Sequence, residues 1–189
     1  MKTILYLAQS LNGFIAKENG DTAWVGSEDK ERFKNMTMKA RNAVMGRNTY
    51  EIMQAEGDFP LDGRLNVVMT RNLQPSTGNV MFTDKTPGEV IDFMKEQGFT
   101  ETMVIGGGRI AKSFLEAGLI DELYITIEPV LFGKGVPLIG GEFIEQGELE
   151  VNLEFLDFMR ISENELQLHY RVKSTKEMES DTGKEIEEL

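Results

Sequence analysis

The run Val104-Ile105-Gly106-Gly107-Gly108-Arg109-Ile110 constrains this chain more than any other stretch. Two β-branched residues end a buried strand, three consecutive glycines free the backbone to turn tightly, and a helix opens at Arg109 with Ile110, Phe114 and Leu115 as its apolar stripe. A helix N-terminus reached through glycines presents unpaired backbone N–H groups and the positive end of the helix dipole, which suits a phosphate. Arg109 adds a fixed positive charge. The competing reading is that the glycines only let a helix pack close against a sheet.

The same strand-to-helix alternation runs through the chain and predicts an α/β fold with a largely parallel sheet. Strands are expected over 4–8, 43–45, 66–69, 80–82, 102–105 and 123–127. Helices are expected over 27–36, 48–53, 87–97 and 109–117. Ser27 reads as the cap of the first, with Asp29 in its first turn, and Thr86 as the cap of the third, with Glu89 three residues on. Two further strands, near 149–159 and over 166–172, read as antiparallel and close the sheet edge, and Gly140-Gly141 before Phe143 marks a loop.

A second glycine turn, Val44-Met45-Gly46-Arg47-Asn48-Thr49-Tyr50, repeats the pattern of apolar strand, Gly, Arg and helix, and a third strand ends in Met69-Thr70-Arg71. Ligands of open α/β sheets bind beyond the carboxyl ends of the strands. Three such ends carrying arginine predict convergent positive charge in a chain whose net charge is −12. The alternative for each arginine is a surface salt bridge.

That acidity argues against nucleic acid as a partner, since a phosphate backbone needs a basic face, but a nucleotide cofactor needs only a few local arginines. With 189 residues, 40% hydrophobic and 28% charged, the chain can bury a core and is expected to form one domain over 1–173. Residues 174–189 hold six Asp/Glu against two Lys and read as a flexible acidic tail. No apolar run approaches the roughly 20 residues of a membrane span, and residues 1–8 read as a first strand rather than a signal peptide. Zero cysteines exclude disulfides and thiolate metal sites, which is compatible with a reducing cytoplasm, and no metal site is expected. The single histidine, His169, sits in a terminal strand and reads as structural.

In order and spacing these pieces resemble the dihydrofolate reductase superfamily, including the riboflavin-pathway reductase domain. The resemblance covers about residues 3–172. It rests on Ala8-Gln9-Ser10-Leu11-Asn12-Gly13-Phe14-Ile15-Ala16, Trp24, the turn at Gly46, Gly63-Arg64, Thr70-Arg71, Gly106-Gly107-Gly108-Arg109 and Leu119-Ile120-Asp121-Glu122-Leu123. It implies a three-layer fold, NADPH as cofactor, and a cis peptide between Gly106 and Gly107. The cofactor residues it implies are Ala8, Ile15, Gly46, Arg47, Asn48, Thr49, Thr70, Arg71, Gly106, Gly107, Gly108, Arg109 and Ile110, with Arg47, Thr70 and Arg71 near an adenosine 2′-phosphate.

Asp29, Phe33 and Thr37 follow at i, i+4 and i+8 on one helix face, with Trp24 five residues upstream, as in dihydrofolate reductases. The resemblance assigns substrate anchoring and proton supply to Asp29, supported by Thr126, with Trp24, Phe33 and Thr126 lining the pocket and Arg64 at the position that binds a folate carboxylate. The bland alternative for Asp29 is an acid favoured by the helix dipole. The segment 128–138, Glu128-Pro129-Val130-Leu131-Phe132-Gly133-Lys134-Gly135-Val136-Pro137-Leu138, instead looks like the riboflavin-pathway branch and its small stand-alone relatives. Ser10-Leu11-Asn12-Gly13 does too, with Asn where Asp is usual, and the proline that folate reductases carry beside Trp24 is missing.

The expected activity is hydride transfer from NADPH to a small heterocyclic substrate, a pteridine or an aminopyrimidine such as 5-amino-6-(5-phosphoribosylamino)uracil. True dihydrofolate reduction and a non-catalytic nucleotide-binding dimer are the alternatives. A homodimer is implied, with 129–137 as the contact. A Rossmann reading also exists, with Gly106-x-Gly108-x-x-Ala111 as fingerprint and Glu128 as the ribose-binding acid.

Overall fold

The computed structural model describes residues 1–140 and 149–173. The expected acidic tail and the Gly141–Phe143 part of the expected loop lie outside the described residues. In chain order the elements are β1 (Lys2–Ser10), β2 (Phe14–Lys17), α1 (Ser27–Ala40), β3 (Asn42–Gly46), α2 (Arg47–Glu56), β4 (Leu65–Met69) and β5 (Val80–Thr83). Then follow α3 (Pro87–Glu96), β6 (Glu101–Val104), α4 (Gly108–Glu116), β7 (Glu122–Glu128), β8 (Gly135–Pro137), β9 (Leu153–Arg160) and β10 (Leu166–Val172).

Eight strands form one sheet in the order β5-β4-β3-β6-β1-β7-β10-β9. The first five ladders are parallel, and β10 pairs antiparallel with both β7 and β9, as the sequence predicts. The β1 sequence reads as a near-continuous apolar run because helices cover both faces of a parallel sheet. On one face Leu5, Leu7, Val67, Val104, Leu123 and Ile125 pack against Val90, Ile91 and Met94 of α3 and Phe114 and Leu115 of α4. On the other, Ile4, Tyr6, Met45, Val68 and Met103 meet Ala40 of α1 and Tyr50 of α2. This order rules out the Rossmann reading, whose sheet runs 3-2-1-4-5-6.

Three expectations need correction. The cap of α1 is Gly26, not Ser27; Ser27 is the first helical residue, and its hydroxyl turns to the exposed Glu28 carboxylate. The helix continues to Ala40, because Arg41 takes the left-handed conformation that closes the last turn. The penultimate strand starts at Leu153, not near 149. The short ribbon of β2 with β8 escaped sequence reading, since runs of four and three residues carry almost no periodicity.

Candidate functional site

A cleft of about 1780 Å³ opens at the carboxyl ends of β1, β3, β4 and β6. Gly46, Arg47, Asn48 and Thr49 line it from the first turn of α2, and Gly107, Gly108, Arg109 and Ile110 from that of α4. Ala8, Ile15, Thr70, Arg71 and Gly106 complete this end. Every residue the resemblance assigned to the cofactor therefore borders one cavity, and the Gly106–Gly107 peptide is cis, as expected.

The three helices whose first turns begin just after β3, β6 and β5 differ in how those turns are finished. At α3 a capping box is formed, with Thr86 Oγ1 accepting from the Glu89 N–H and the Glu89 carboxylate accepting from the Thr86 N–H. At α2 and α4 the caps are Gly46 and Gly107, neither helix has a side-chain cap, and neither first turn holds an acid. The two turns adjoin at one end of the cleft, the Gly46 N–H donating to Gly106 O at 2.8 Å, and together they offer the donor set an anionic diphosphate requires.

Both readings of the glycines hold, at different positions. A Cβ on Gly46 would press on Ile110 Cγ1 at 2.8 Å, and one on Gly108 would overlap the Gly140 carbonyl oxygen, so these two glycines permit close packing. Gly106 needs its positive φ of 111°. A Cβ on Gly107 would meet only Thr49 Oγ1, at 3.5 Å, so the space beside that turn is open to a ligand. The residues present thus fit a dinucleotide cofactor. Among the arginines, Arg47 pairs with Glu51 at 2.6 Å, the surface ion pair foreseen as the alternative. Arg71 and Arg109 make no ion pair among the described residues.

Across the cleft stands Asp29, only 3% exposed. The β1–β7 register sets Ala8 beside Thr126, and β10 sets Gln167 opposite Thr126 on its other side. On the sheet face under α1, Tyr6 donates to Asp29 Oδ1 at 2.7 Å and Thr126 donates to the same oxygen at 2.5 Å. Gln167 Nε2 donates to both hydroxyl oxygens at 3.0 Å, and Gln167 Oε1 accepts from Arg32 Nε. Burial pushes the Asp29 carboxyl above the ordinary carboxylate range, the Thr126 and Tyr6 hydroxyls oppose this, and Glu165 adds to it. Phe33 lines the cleft one turn on and packs on Tyr6 with ring centroids 5.8 Å apart.

Some predicted site residues lie elsewhere. Trp24 does not border the cleft; its indole N–H donates to Asp21 O and its ring packs edge-on to Phe132 at 5.1 Å. Thr126 is fully buried behind Asp29 and supports the acid instead of lining the pocket. Thr37 is buried against its own helix, donating to Phe33 O, and Met38 takes the cleft-facing place. Arg64 does border the cleft but is 4% exposed, with its terminal nitrogens donating to Asp62 O and Lys34 O and Nε left without a partner. Burial lowers its guanidinium pKa. Glu128, the would-be ribose acid, is buried beneath α1 and accepts from the Gly26 N–H at 3.1 Å. His169 stacks on Tyr124 at 4.0 Å and bonds Glu122, in keeping with a structural role.

Sequence reading missed Tyr6, Arg32, Gln167 and Glu165, and gave Glu128 a different role. The only trace was the alternation Leu166-Gln167-Leu168-His169, which places polar residues where a half-exposed strand would show them to solvent. Here that face lies under α1.

The family model described as the RibD C-terminal domain matches residues 1–166. The chain is 29% identical over 142 residues to the uncharacterized protein YwjB of Bacillus subtilis, covering 72% of this chain and 82% of that one. It is 34% identical over 122 residues to the dihydrofolate reductase of Haemophilus influenzae, covering 65% of this chain and 69% of that one. A crystal structure of a putative riboflavin biosynthesis protein from Shewanella sp. PV-4 superposes with a TM-score of 0.76 at 26% identity, over 92% of this chain and all of that one.

Proposed function

The chain belongs to the RibD C-terminal domain family, within the dihydrofolate reductase-like superfamily, and from that premise we propose that it is an NADPH-dependent reductase of a pteridine- or aminopyrimidine-type substrate. The observation that carries the proposal is the pairing, in one cleft, of two uncapped helix N-termini with a buried carboxyl opposite them. The α2 and α4 turns would hold the diphosphate, with Arg47 and Arg71 reaching the 2′-phosphate that separates NADPH from NADH. When bound, NADPH supplies the hydride. Asp29 would hydrogen-bond the N–H edge of the substrate and supply the proton that the nitrogen of the reduced C=N bond takes up as the hydride reaches its carbon. Phe33, which lines the cleft, would pack against the ring face.

Arg64 favours a substrate without a carboxylate tail, because its guanidinium is already engaged by two main-chain carbonyls. This supports an aminopyrimidine or unconjugated pterin over folate. The test follows NADPH absorbance with dihydrofolate, an unconjugated dihydropterin and 5-amino-6-(5-phosphoribosylamino)uracil offered separately. Oxidation with either small ring and not with dihydrofolate is expected. NADPH binding without oxidation on any of them would favour the non-catalytic reading.

We also propose a homodimer. The edge strand β9 exposes Leu153, Phe155, Phe158 and Met159, and Leu131 is 65% exposed in the 129–137 segment. Light scattering should give twice the chain mass; a monomer at all concentrations would end this reading.

A further inference from the structure

We propose that Gln167, locked in orientation by Arg32, is a positioning residue that closes one oxygen of Asp29 and confines its exchangeable proton to the oxygen facing the cleft. The proposal rests on Asp29 being the substrate-facing acid, and it follows from which atoms can donate. Arg32 Nε has only a hydrogen to give, so the Gln167 atom it meets must be the amide oxygen, and the amide nitrogen must face the sheet. That nitrogen can only donate, and it reaches both Tyr6 Oη and Thr126 Oγ1 at 3.0 Å. Each hydroxyl has one proton, and with its oxygen accepting from Gln167 that proton points to Asp29 Oδ1.

Asp29 Oδ1 therefore receives two donors whose direction the glutamine sets. A proton placed on Oδ1 would face two hydroxyls, one of which would have to turn its own hydrogen away; Tyr6 could then reach only the Asp29 main-chain oxygen at 3.4 Å, in exchange for 2.7 Å to Oδ1. Asp29 Oδ2 takes no hydrogen bond from the described residues, and Asp29 borders the cleft, so the proton belongs on Oδ2. This is the oxygen a bound ring nitrogen would meet. Chains of hydrogen bonds that run in one direction strengthen each member, which links Arg32, three hydrogen bonds upstream, to the acid's proton affinity.

The charged or titratable groups that act on Asp29 are Arg32 from its own helix, whose charge favours the carboxylate, Tyr6 from β1, Glu128 from β7 and Glu165 just before β10. The two glutamates are near neighbours in the sheet and enclose Gly26, where a Cβ would overlap Glu165 Oε1. They raise the cost of ionising Asp29, and the Gln167 chain acts against them.

The test measures the titration of Asp29 itself in the full chain, by carbon-13 NMR of carboxyl-labelled aspartate, with Asp29→Asn identifying the resonance. Neutral Gln167→Leu removes the donor without adding charge and should raise the proton affinity of Asp29 by about threefold. Isosteric Gln167→Glu reverses the polarity of the chain, drawing both hydroxyl protons away, and should raise it by at least about tenfold. A folded Leu variant whose Asp29 midpoint equals wild type would overturn the proposal; a merely structural glutamine would change the melting temperature alone. Should the Leu variant fail to fold, the Glu variant carries the same test, and an unmoved midpoint there is equally fatal. Because the readout needs no turnover, it separates this proposal from the assignment of activity. A moved midpoint with no substrate found would count against the reductase reading and for the role of Gln167.

Discussion

The N-terminus of α3 and those of α2 and α4 are built from similar local chemistry and left in opposite states. At α3, Thr86 and Glu89 satisfy the free N–H groups reciprocally, and Pro87 removes one of them altogether. At α2 and α4 the capping positions are glycines with nothing to offer. α1 also begins at a glycine, but its first turn carries Glu28 and Asp29; only α2 and α4, whose turns adjoin in one cleft, have neither a side-chain cap nor a first-turn acid, which leaves their donors for something outside the chain. The far side of the cleft shows the reverse economy: Asp29 Oδ1 receives two hydroxyls that are themselves held by Gln167, while Asp29 Oδ2 takes no hydrogen bond from the described residues. Unfinished hydrogen bonding marks where ligands go; completed networks mark what holds a reactive group still.

The sharpest way to break this comparison is to neutralise Asp29. Asp29→Asn should lower turnover by about 100-fold or more while NADPH affinity changes little. Equal losses in both would remove Asp29 from the chemistry.

On the open side, Arg47→Ala and Arg71→Ala should each weaken NADPH by about tenfold and NADH by much less, read by isothermal titration. Parallel losses for the two nucleotides would show that the arginines do not meet the 2′-phosphate. Arg47 must leave Glu51 to do so, so Glu51→Gln should if anything tighten NADPH.

The buried pair beside the Asp29 network gives a pH-dependent test. Burial, with Glu165 and Asp29 nearby, pushes the Glu128 carboxyl up to about 7 against an ordinary value of 4.5. The folded state thus holds the proton more tightly than the unfolded one. Its stabilisation is complete below pH 4.5 and is lost as pH rises through about 7. Glu128→Gln should therefore raise stability at pH 8 by about 2 kcal/mol, or roughly 4–8 °C in Tm, with little change at pH 4. An identical pH dependence in the variant would refute the assignment.

The smallest effect is expected at the finished terminus. Thr86→Ala should cost about 1 kcal/mol of stability and leave nucleotide binding unchanged. A change in NADPH affinity there would blur the distinction between α3 and its counterparts.

How much of this was legible depended on how local each signal is. The glycine–arginine tips could be read because turn chemistry is set within five or six residues, and Asp29 with Phe33 because helical spacing puts them on one face. The capping box at Thr86 is local in the same way, and it too was readable. The support behind Asp29 was not, because Tyr6 meets it across 23 residues, Thr126 across 97, and Gln167 reaches Tyr6 across 161. Those contacts exist only once β10 inserts beside β7, and no periodicity in any one segment announces that. Trp24 has the expected spacing from Asp29, but its ring packs on Phe132, from a loop over a hundred residues away, and does not border the cleft.

The most direct test follows backbone amide shifts while NADPH is added to the full chain. The account predicts that the amides of Arg47 and Asn48, and of Gly108, Arg109 and Ile110, move together and saturate, while Glu89 and Val90 at the start of α3 stay in place. Shifts at α3, or none at α2 and α4 at saturating NADPH, would contradict it.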